Sequence, residues 1–115
     1  MAEGCVVVIG GTQGLGLEVA RHYAGQGREV VLSGRDQGRA EAVAAEVGGK
    51  TTGLGLDLAE PEELAERLAD VGRVAHLALV AIDRDENQVR SFDVPSATRL
   101  VTLKLVGYAE AVHTL

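Results

Sequence analysis

The sequence of 115 residues has few aromatic side chains and a single cysteine. Aromatic residues make up 3% of it, and tryptophan is absent. One cysteine cannot form an intrachain disulfide, and Cys5 opens an apolar run, where a thiol is usually buried and inert. Because 46% of the residues are hydrophobic, the core must be built from valine, leucine and alanine. The length suits one domain and excludes several independently folding ones.

The sequence also lacks an excess of basic residues and a long apolar segment. The sequence contains eleven Lys and Arg residues and 17 Asp and Glu residues, which gives a formal net charge of −6. The basic residues are scattered and have no aromatic platform among them, so we expect no nucleic-acid partner. The apolar run at Cys5–Ile9 is too short for a signal-peptide core or a membrane span. We therefore expect a cytoplasmic protein with no membrane partner.

Apolar runs alternate with segments of helical spacing along the whole chain. The predicted strands are Cys5–Ile9, Glu29–Ser33, Thr51–Leu58 and Val74–Ile82, of which the first two are continuous Val/Leu/Ile runs typical of strands covered on both faces. Pro61 is expected to open the third helix, and the fourth runs from about Pro95 to the end. This alternation predicts an α/β fold, a doubly wound, Rossmann-type parallel sheet of four strands in the order 3-2-1-4, in one domain over residues 1–115.

A glycine-rich turn, GGTQGLG at residues 10–16, lies between the first strand and the first helix. Gly10 would allow a tight exit from the strand, Gly14 would remove the Cβ that blocks a pyrophosphate, and Gly16 would let the helix pack on the strand. The N–H groups of the helix start would then face the phosphates. We expect a dinucleotide site lined by Gly10, Thr12, Gln13, Gly14, Leu15 and Gly16. A turn that only ends a strand is the alternative.

In this context the turn resembles that of the short-chain dehydrogenase/reductase family, whose members carry TGxxxGxG here, although Ile9 stands where the threonine usually does. The resemblance continues through VVLSGRD at 30–36 and Asp57-Leu58, and it covers the first half of the family's usual length. It implies an oxidoreductase for a small carbonyl or alcohol substrate. Asp57 and Leu58 would lie beside the adenine ring, and Ala81 would contact the cofactor. Asp57 could instead be an acid that caps a helix entry.

The end of the second strand indicates which dinucleotide binds. A site specific for NAD has a carboxylate at this position, which accepts a hydrogen bond from the ribose 2′-hydroxyl. In this chain Gly34 occupies the position. Arg35 follows, and a guanidinium suits a phosphate bidentately. Asp36 could pair with Arg35 or cap the second helix. We therefore expect Ser33, Gly34 and Arg35 to contact the cofactor and NADP to be preferred over NAD.

Catalytic residues are harder to find. The family's Asn-Asn-Ala-Gly turn corresponds to Leu79, Val80, Ala81 and Ile82, so only the alanine is kept, and the asparagine of the following helix aligns with Lys104. The family's serine and Tyr-x-x-x-Lys pair would lie beyond residue 115. No catalytic residue is predicted in this chain. The three histidines, His22, His76 and His113, lie far apart and form no metal-binding spacing.

Two functions of other classes fit parts of the pattern. A phosphoacceptor receiver domain would use Asp57, but it needs acidic residues at the end of the first strand to hold Mg²⁺, where Gly10 and Gly11 stand. A non-catalytic NADP(H)-binding sensor or scaffold would explain both lost asparagines.

An assembly is also expected. The apolar strand at 74–82 would form a sheet edge, and the last helix is apolar around most of its circumference. We therefore expect a homo-oligomer, or else that the second half of the family's usual length covers this strand and this helix.

Overall fold

The computed structural model describes residues 4–81 and 90–115 and contains one four-stranded parallel sheet. Its strands are β1 (Cys5–Ile9), β2 (Glu29–Gly34), β3 (Lys50–Gly55) and β4 (Val74–Leu79). They lie in the order β3-β2-β1-β4, and every neighbouring pair is parallel. The predicted fold class and strand order are therefore confirmed.

Helices connect the strands and cover both faces of the sheet. They are α1 (Gly14–Gly25), α2 (Gln37–Val47), a 3₁₀ turn (Pro61–Glu63), α3 (Leu64–Arg67), α4 (Val94–Val101), a π-helical segment (Thr102–Gly107) and α5 (Tyr108–Thr114). In the described ranges no helix is both long enough and apolar enough to cross a membrane.

The central strand β1 is buried on both faces, which explains its continuous apolar run. Val6 and Val8 pack towards α1 and α2, in a cluster with Val30, Leu32, Ala20, Ala40, Val43 and Ala44. The alternate residues Cys5, Val7 and Ile9 pack on the other face with Leu56, Leu58, Leu64, Leu68, Leu103 and Ala111. Burial raises the pKa of the Cys5 thiol, and the charge of Glu29 raises it further. As expected, this cysteine belongs to the core.

The ends of two strands differ from the prediction. β3 ends at Gly55 and not at Leu58, because Asp57 starts a turn. Its carboxylate Oδ1 accepts the N–H of Ala59 at 2.9 Å, and its carbonyl accepts the N–H of Glu60 at 3.0 Å. β4 ends at Leu79. Ile82, the predicted end of that strand, lies outside the described residues.

The helices after β3 also differ in detail from the prediction. Pro61 opens a 3₁₀ turn, and the α-helix that follows has only four residues. The last helix begins at Val94, where the Asp93 carboxylate accepts the N–H of Ser96 at 3.0 Å. Its middle widens into the π-helical segment, which the helical spacing did not predict. Gly107 of that segment lies against the backbone of Leu58, where a Cβ would overlap the carbonyl oxygen.

The packing of α2 on β3 gives a stability prediction. A Cβ added at Gly53 would overlap the carbonyl oxygen of Ala40. We expect Gly53→Ala to lower the free energy of unfolding by about 1–3 kcal/mol, because strand or helix must move. As a control, Gly25→Ala at the end of α1 adds a Cβ that meets no described atom within 4 Å. That change should raise the stability by up to about 1 kcal/mol. Urea unfolding measures both, and equal stabilities would contradict the packing of α2 on Gly53.

Candidate functional site

The glycine turn is held between the ends of two neighbouring strands. Gly10 leaves β1 with φ +94°, which glycine adopts without steric cost. Its N–H donates to Ser33 Oγ at 3.3 Å, and the N–H of Gly11 donates to the Ser33 carbonyl at 2.8 Å. On the other side, a Cβ at Gly10 would lie 2.6 Å from the backbone nitrogen of Ala81. Ser33, which is buried, and Ala81, which is partly buried, therefore fix the path of the turn from both sides.

The start of α1 follows the turn directly. Gly16 lies against Gly10, and a Cβ on Gly16 would overlap the Gly10 carbonyl oxygen, so this glycine permits the close packing of helix on strand. Gly14 has φ +58°, and a Cβ there would meet no described atom within 4 Å. Gln13 stands extended at the N-cap position of α1, and Leu15 is 73% exposed. The side of α1 that Gly14 presents therefore faces open space.

The end of β2 meets the glycine turn. A Cβ at Gly34 would lie 2.6 Å from Cγ2 of Thr12, so the missing side chain makes room for the turn. Arg35 follows and is exposed. The Asp36 carboxylate accepts the backbone N–H of Arg39 at 3.1 Å and caps α2. Capping is therefore the role of Asp36 that the structure describes.

Asp57 lies beside this strand end. The N–H of Leu56 donates to the Gly34 carbonyl at 2.9 Å, so the chain passes from β3 into the Asp57 turn next to the end of β2. Nη2 of Arg99, on α4, donates to Oδ2 of Asp57 at 2.9 Å. The two side chains are 34% and 22% exposed, respectively, so the ion pair is partly shielded from water. It joins α4 to the turn after β3.

The pKa of Asp57 is lowered. Burial alone would raise it, but the hydrogen bond from Arg99 opposes that effect, together with the bond from the Ala59 N–H and the charges of Arg99 and Arg35. The carboxylate is therefore ionised at neutral pH and lies within the electrostatic reach of two arginines.

Two polar side chains of the last helix, Lys104 and Tyr108, lie at the end of β4. The Tyr108 hydroxyl donates to the carbonyl of Ala81 at 2.6 Å, and Nζ of Lys104 donates to the Tyr108 oxygen at 3.0 Å. The Lys104 ammonium also lies 4.8 Å from the centroid of the Tyr108 ring. Because Ala81 touches Gly10, this pair lies on the β4 side of the glycine turn.

Most of the residues that the sequence indicated meet at the carboxyl edge of the sheet: Gly10, Thr12, Gln13, Gly14, Leu15, Gly16, Ser33, Gly34, Arg35, Asp57 and Ala81. Leu58 does not present its side chain there, because that side chain is 3% exposed and packs in the core. Sequence reasoning missed Arg99 and Tyr108. Lys104 and Tyr108 are four residues apart, and side chains at this spacing lie on the same face of a helix, so the sequence does contain a signal for their contact. Arg99 lies 42 residues from Asp57, and no local pattern indicates that pair.

The histidines lie away from this edge. His76 of β4 stacks on Tyr23 of α1 with ring centroids 5.7 Å apart, and His22 meets the same ring edge-on at 5.1 Å. His113 is on α5. Across residues 4–81 and 90–115, no group of three or more His, Cys, Asp or Glu is placed to hold a metal ion.

The arrangement matches a general rule for open parallel sheets. Ligands bind beyond the carboxyl ends of the strands, where the strand order reverses. In this sheet the reversal lies between β1 and β4, which are strands one and four of the chain. Gly10 follows β1 and Ala81 follows β4, so the glycine turn borders that crevice. A crevice with exposed backbone at a helix start and a neighbouring arginine suits an extended ligand with phosphate groups.

Comparisons with known proteins agree with this geometry. The family model described as short chain dehydrogenase matches residues 4–115. Serine 3-dehydrogenase of Agrobacterium fabrum (strain C58) is 33% identical over 67 residues, which are 58% of this chain and 27% of the relative. A solved short chain dehydrogenase/reductase family protein superposes with a TM-score of 0.90 at 30% identity, over 99% of this chain and 49% of that one. A metagenomic short-chain oxidoreductase in complex with NADP shares the fold, with a TM-score of 0.84 at 23% identity, over 100% and 56% of the two chains.

The family model and the two solved structures match nearly all of this chain, but the match covers only part of each of these structures. The 67 matched residues span about a quarter of the curated relative, and the chain spans about half of the two solved structures. Since the family model extends from residue 4 to residue 115, the chain belongs to the short-chain dehydrogenase/reductase family of oxidoreductases.

Proposed function

We propose that this chain binds NADP(H) and forms the cofactor-binding part of an oxidoreductase. That enzyme would transfer a hydride between the nicotinamide and a small carbonyl or alcohol substrate. The observation that carries the proposal is the open space at Gly14, at the start of a helix that begins directly beyond β1. Family membership supports a nicotinamide dinucleotide as the ligand.

The glycine turn would hold the pyrophosphate. A phosphate at the start of α1 would be stabilised by the backbone N–H groups there and by the positive end of the helix macrodipole. Gly14 would let the phosphate approach the backbone. Gly10, Thr12, Gln13, Leu15 and Gly16 would line the same turn.

The end of β2 favours NADP over NAD. Gly34 leaves this position without the carboxylate that would repel a 2′-phosphate. Asp36 is engaged in capping α2. Ser33, Gly34 and Arg35 would therefore contact the adenosine end, where the guanidinium of Arg35 would bind the 2′-phosphate.

Three further residues are proposed as cofactor contacts. Asp57 follows the residue that pairs with the end of β2, where the adenosine end is proposed to bind, and Ala81 lies against Gly10 on the β4 side of the crevice. Because the Leu58 side chain is buried, only its backbone is proposed to face the ligand.

The chain as given contains no residue to which we assign catalysis. Neither tyrosine is followed by a lysine four residues later, because Gly27 and Val112 occupy those positions. The groups that polarise the carbonyl and supply the proton would come from outside these 115 residues. A positioned acid is required for hydride transfer to a carbonyl to be efficient.

The second candidate is a non-catalytic NADP(H)-binding sensor or scaffold. Lys104 and the apolar residues Leu79 and Val80, which replace asparagines of the family, favour it. NADPH oxidation with a panel of ketones and aldehydes separates the two functions, using protein isolated from its source with its intact mass measured. Turnover supports the oxidoreductase, and tight binding without turnover supports the sensor. Failure to bind NADPH would overturn both.

Gly14 provides a direct test of the cofactor site. We expect Gly14→Asp to weaken NADPH binding at least tenfold, because a carboxylate would occupy and repel the phosphate position. Asp adopts the left-handed backbone conformation more readily than most residues, so the fold should survive. Gly27→Asp is the matched control, since Gly27 also has a positive φ and open surroundings but lies beyond the other end of α1. Calorimetric titration of the full chain measures both. Unchanged affinity in a folded Gly14→Asp protein would place the nucleotide elsewhere.

Arg35 provides the test of nucleotide choice. We expect the native chain to bind NADP(H) more tightly than NAD(H) and Arg35→Asp to reverse the order. Loss of a charge-assisted hydrogen bond to the 2′-phosphate is worth about 1.5–3 kcal/mol. Calorimetry with both nucleotides gives the two affinities. Equal affinities in the native chain, with no change in the variant, would contradict NADP preference.

We also propose that the protein assembles beyond this single chain. Among the described residues β4 is an edge of the sheet, and large apolar side chains are exposed along and before the last helices: Phe92, Val94, Val101, Leu105, Val106 and Val112. A groove of about 600 Å³ lies among Pro61, Glu62, Leu105, Val106, Ala109, Glu110 and His113. Exposed apolar patches of this kind mark protein interfaces.

Sedimentation at micromolar concentration tests the assembly. We expect a species heavier than the 12.0 kDa chain, because contact between copies would remove the exposed apolar side chains from water. Leu105→Ser together with Val112→Ser should shift the equilibrium towards the monomer. A monodisperse monomer of the native chain that binds no hydrophobic dye would contradict the proposal.

A further inference from the structure

The ion pair between Arg99 and Asp57 is not explained by the packing of α4 alone. It spans 42 residues of sequence, has a length of 2.9 Å and is partly buried on both sides. An arginine whose only role was to make the surface hydrophilic would extend its guanidinium into water. Arg99 is instead held over the turn after β3, on the side of the sheet edge where the adenosine end of the cofactor is proposed to bind.

Arg35 follows a different strand, and the backbone places it beside the same turn. The backbone hydrogen bond from Leu56 to Gly34 sets β2 and β3 side by side at their carboxyl ends. Arg35 and Asp57 are the residues that directly follow these two positions. The charge of Arg35 acts on the carboxyl group of Asp57, as does that of Arg99. The charges of two arginines from separate elements therefore act on one carboxylate beside the ends of β2 and β3.

The carboxylate oxygens of Asp57 already have partners within the protein. Oδ1 accepts the N–H of Ala59, and Oδ2 accepts from Arg99. A guanidinium has five N–H donors in a planar fork, so Arg99 can hold this carboxylate and a phosphate oxygen at once. Its bond to Oδ2 of Asp57 fixes the position of the Arg99 guanidinium.

We propose that Arg99 is a second binding residue for the adenosine 2′-phosphate, together with Arg35, and that Asp57 is the residue that positions it. This inference rests on the proposed NADP(H) site. It adds a specificity residue from α4, an element outside the glycine turn and the end of β2.

Two adenosine ligands test the proposal without any catalytic step. Adenosine 2′,5′-bisphosphate carries the 2′-phosphate, and adenosine 5′-monophosphate lacks it. We expect Arg99→Gln to weaken binding of the bisphosphate at least tenfold and binding of the monophosphate less than twofold. The matched control is Arg21→Gln, because Arg21 also forms an ion pair, with Glu18 on the exposed face of α1. That control should change neither affinity in calorimetric titrations of the full chain.

The positioning role of Asp57 needs its own measurement. We expect Asp57→Asn to lower the ratio of the bisphosphate affinity to the monophosphate affinity when Arg99 is present and to leave this ratio unchanged in the Arg99→Gln background. An equal change of the ratio in both backgrounds would mean that Asp57 acts on the 2′-phosphate without Arg99, and the positioning role would be wrong. Arg99→Lys keeps the charge but loses the planar fork, so an intermediate loss of affinity is expected. This variant also serves as the test if Arg99→Gln does not fold.

The possible results separate this inference from the function on which it rests. If Arg35→Gln weakens the bisphosphate and the Arg99 variants do not, the role of Arg99 is wrong and NADP binding stands. If the Arg99 variants weaken both ligands equally and lower the melting temperature, Arg99 only tethers α4, and the inference is again overturned. If the native chain does not prefer the bisphosphate, the proposed NADP site itself fails.

Discussion

The close approach of the glycine turn to its neighbouring strands is the constraint on which the rest of the site depends. Gly10 lies between Ser33 at the end of β2 and Ala81 after β4, and it touches Gly16 at the start of α1. No side chain larger than hydrogen fits at Gly10 or Gly16 unless the backbone shifts. The turn thereby sets the angle between β1 and α1, and with it the space in front of Gly14.

The sequence predicts the features that depend on neighbours along the chain. The continuous apolar runs of β1 and β2 mark strands covered on both faces, and Asp93 with Pro95 marks a helix start, because each signal is local. The end of β3 was misplaced for an equally local reason. Asp57 competes for backbone hydrogen bonds through its own side chain, and the apolar residue after it conceals the turn.

The residues of the candidate site also fall into those that a local sequence signal indicates and those that it does not. The glycine turn and Arg35 could be predicted because their spacing relative to a strand carries the signal. Arg99 could not, since its contact with Asp57 depends on where α4 crosses the sheet edge, and periodicity within α4 does not contain that information. The Tyr108 contact with Ala81 depends equally on tertiary packing. Site residues on the turns were thus accessible from sequence, whereas their partners on the last helix required the fold.

The π-helical turn at Thr102–Gly107 bears on how this chain is aligned with its relatives. Buried positions recur there every four residues, at Leu103, Gly107 and Ala111. In a regular α-helix a four-residue repeat rotates by about 40° at each step, and a wider turn reduces that rotation. In evolutionary terms, a wide turn accommodates one inserted residue without turning the following helix away from the sheet. An alignment gap placed within 102–107 would change which residue of this chain, Lys104 or a neighbour, corresponds to the family's helical asparagine.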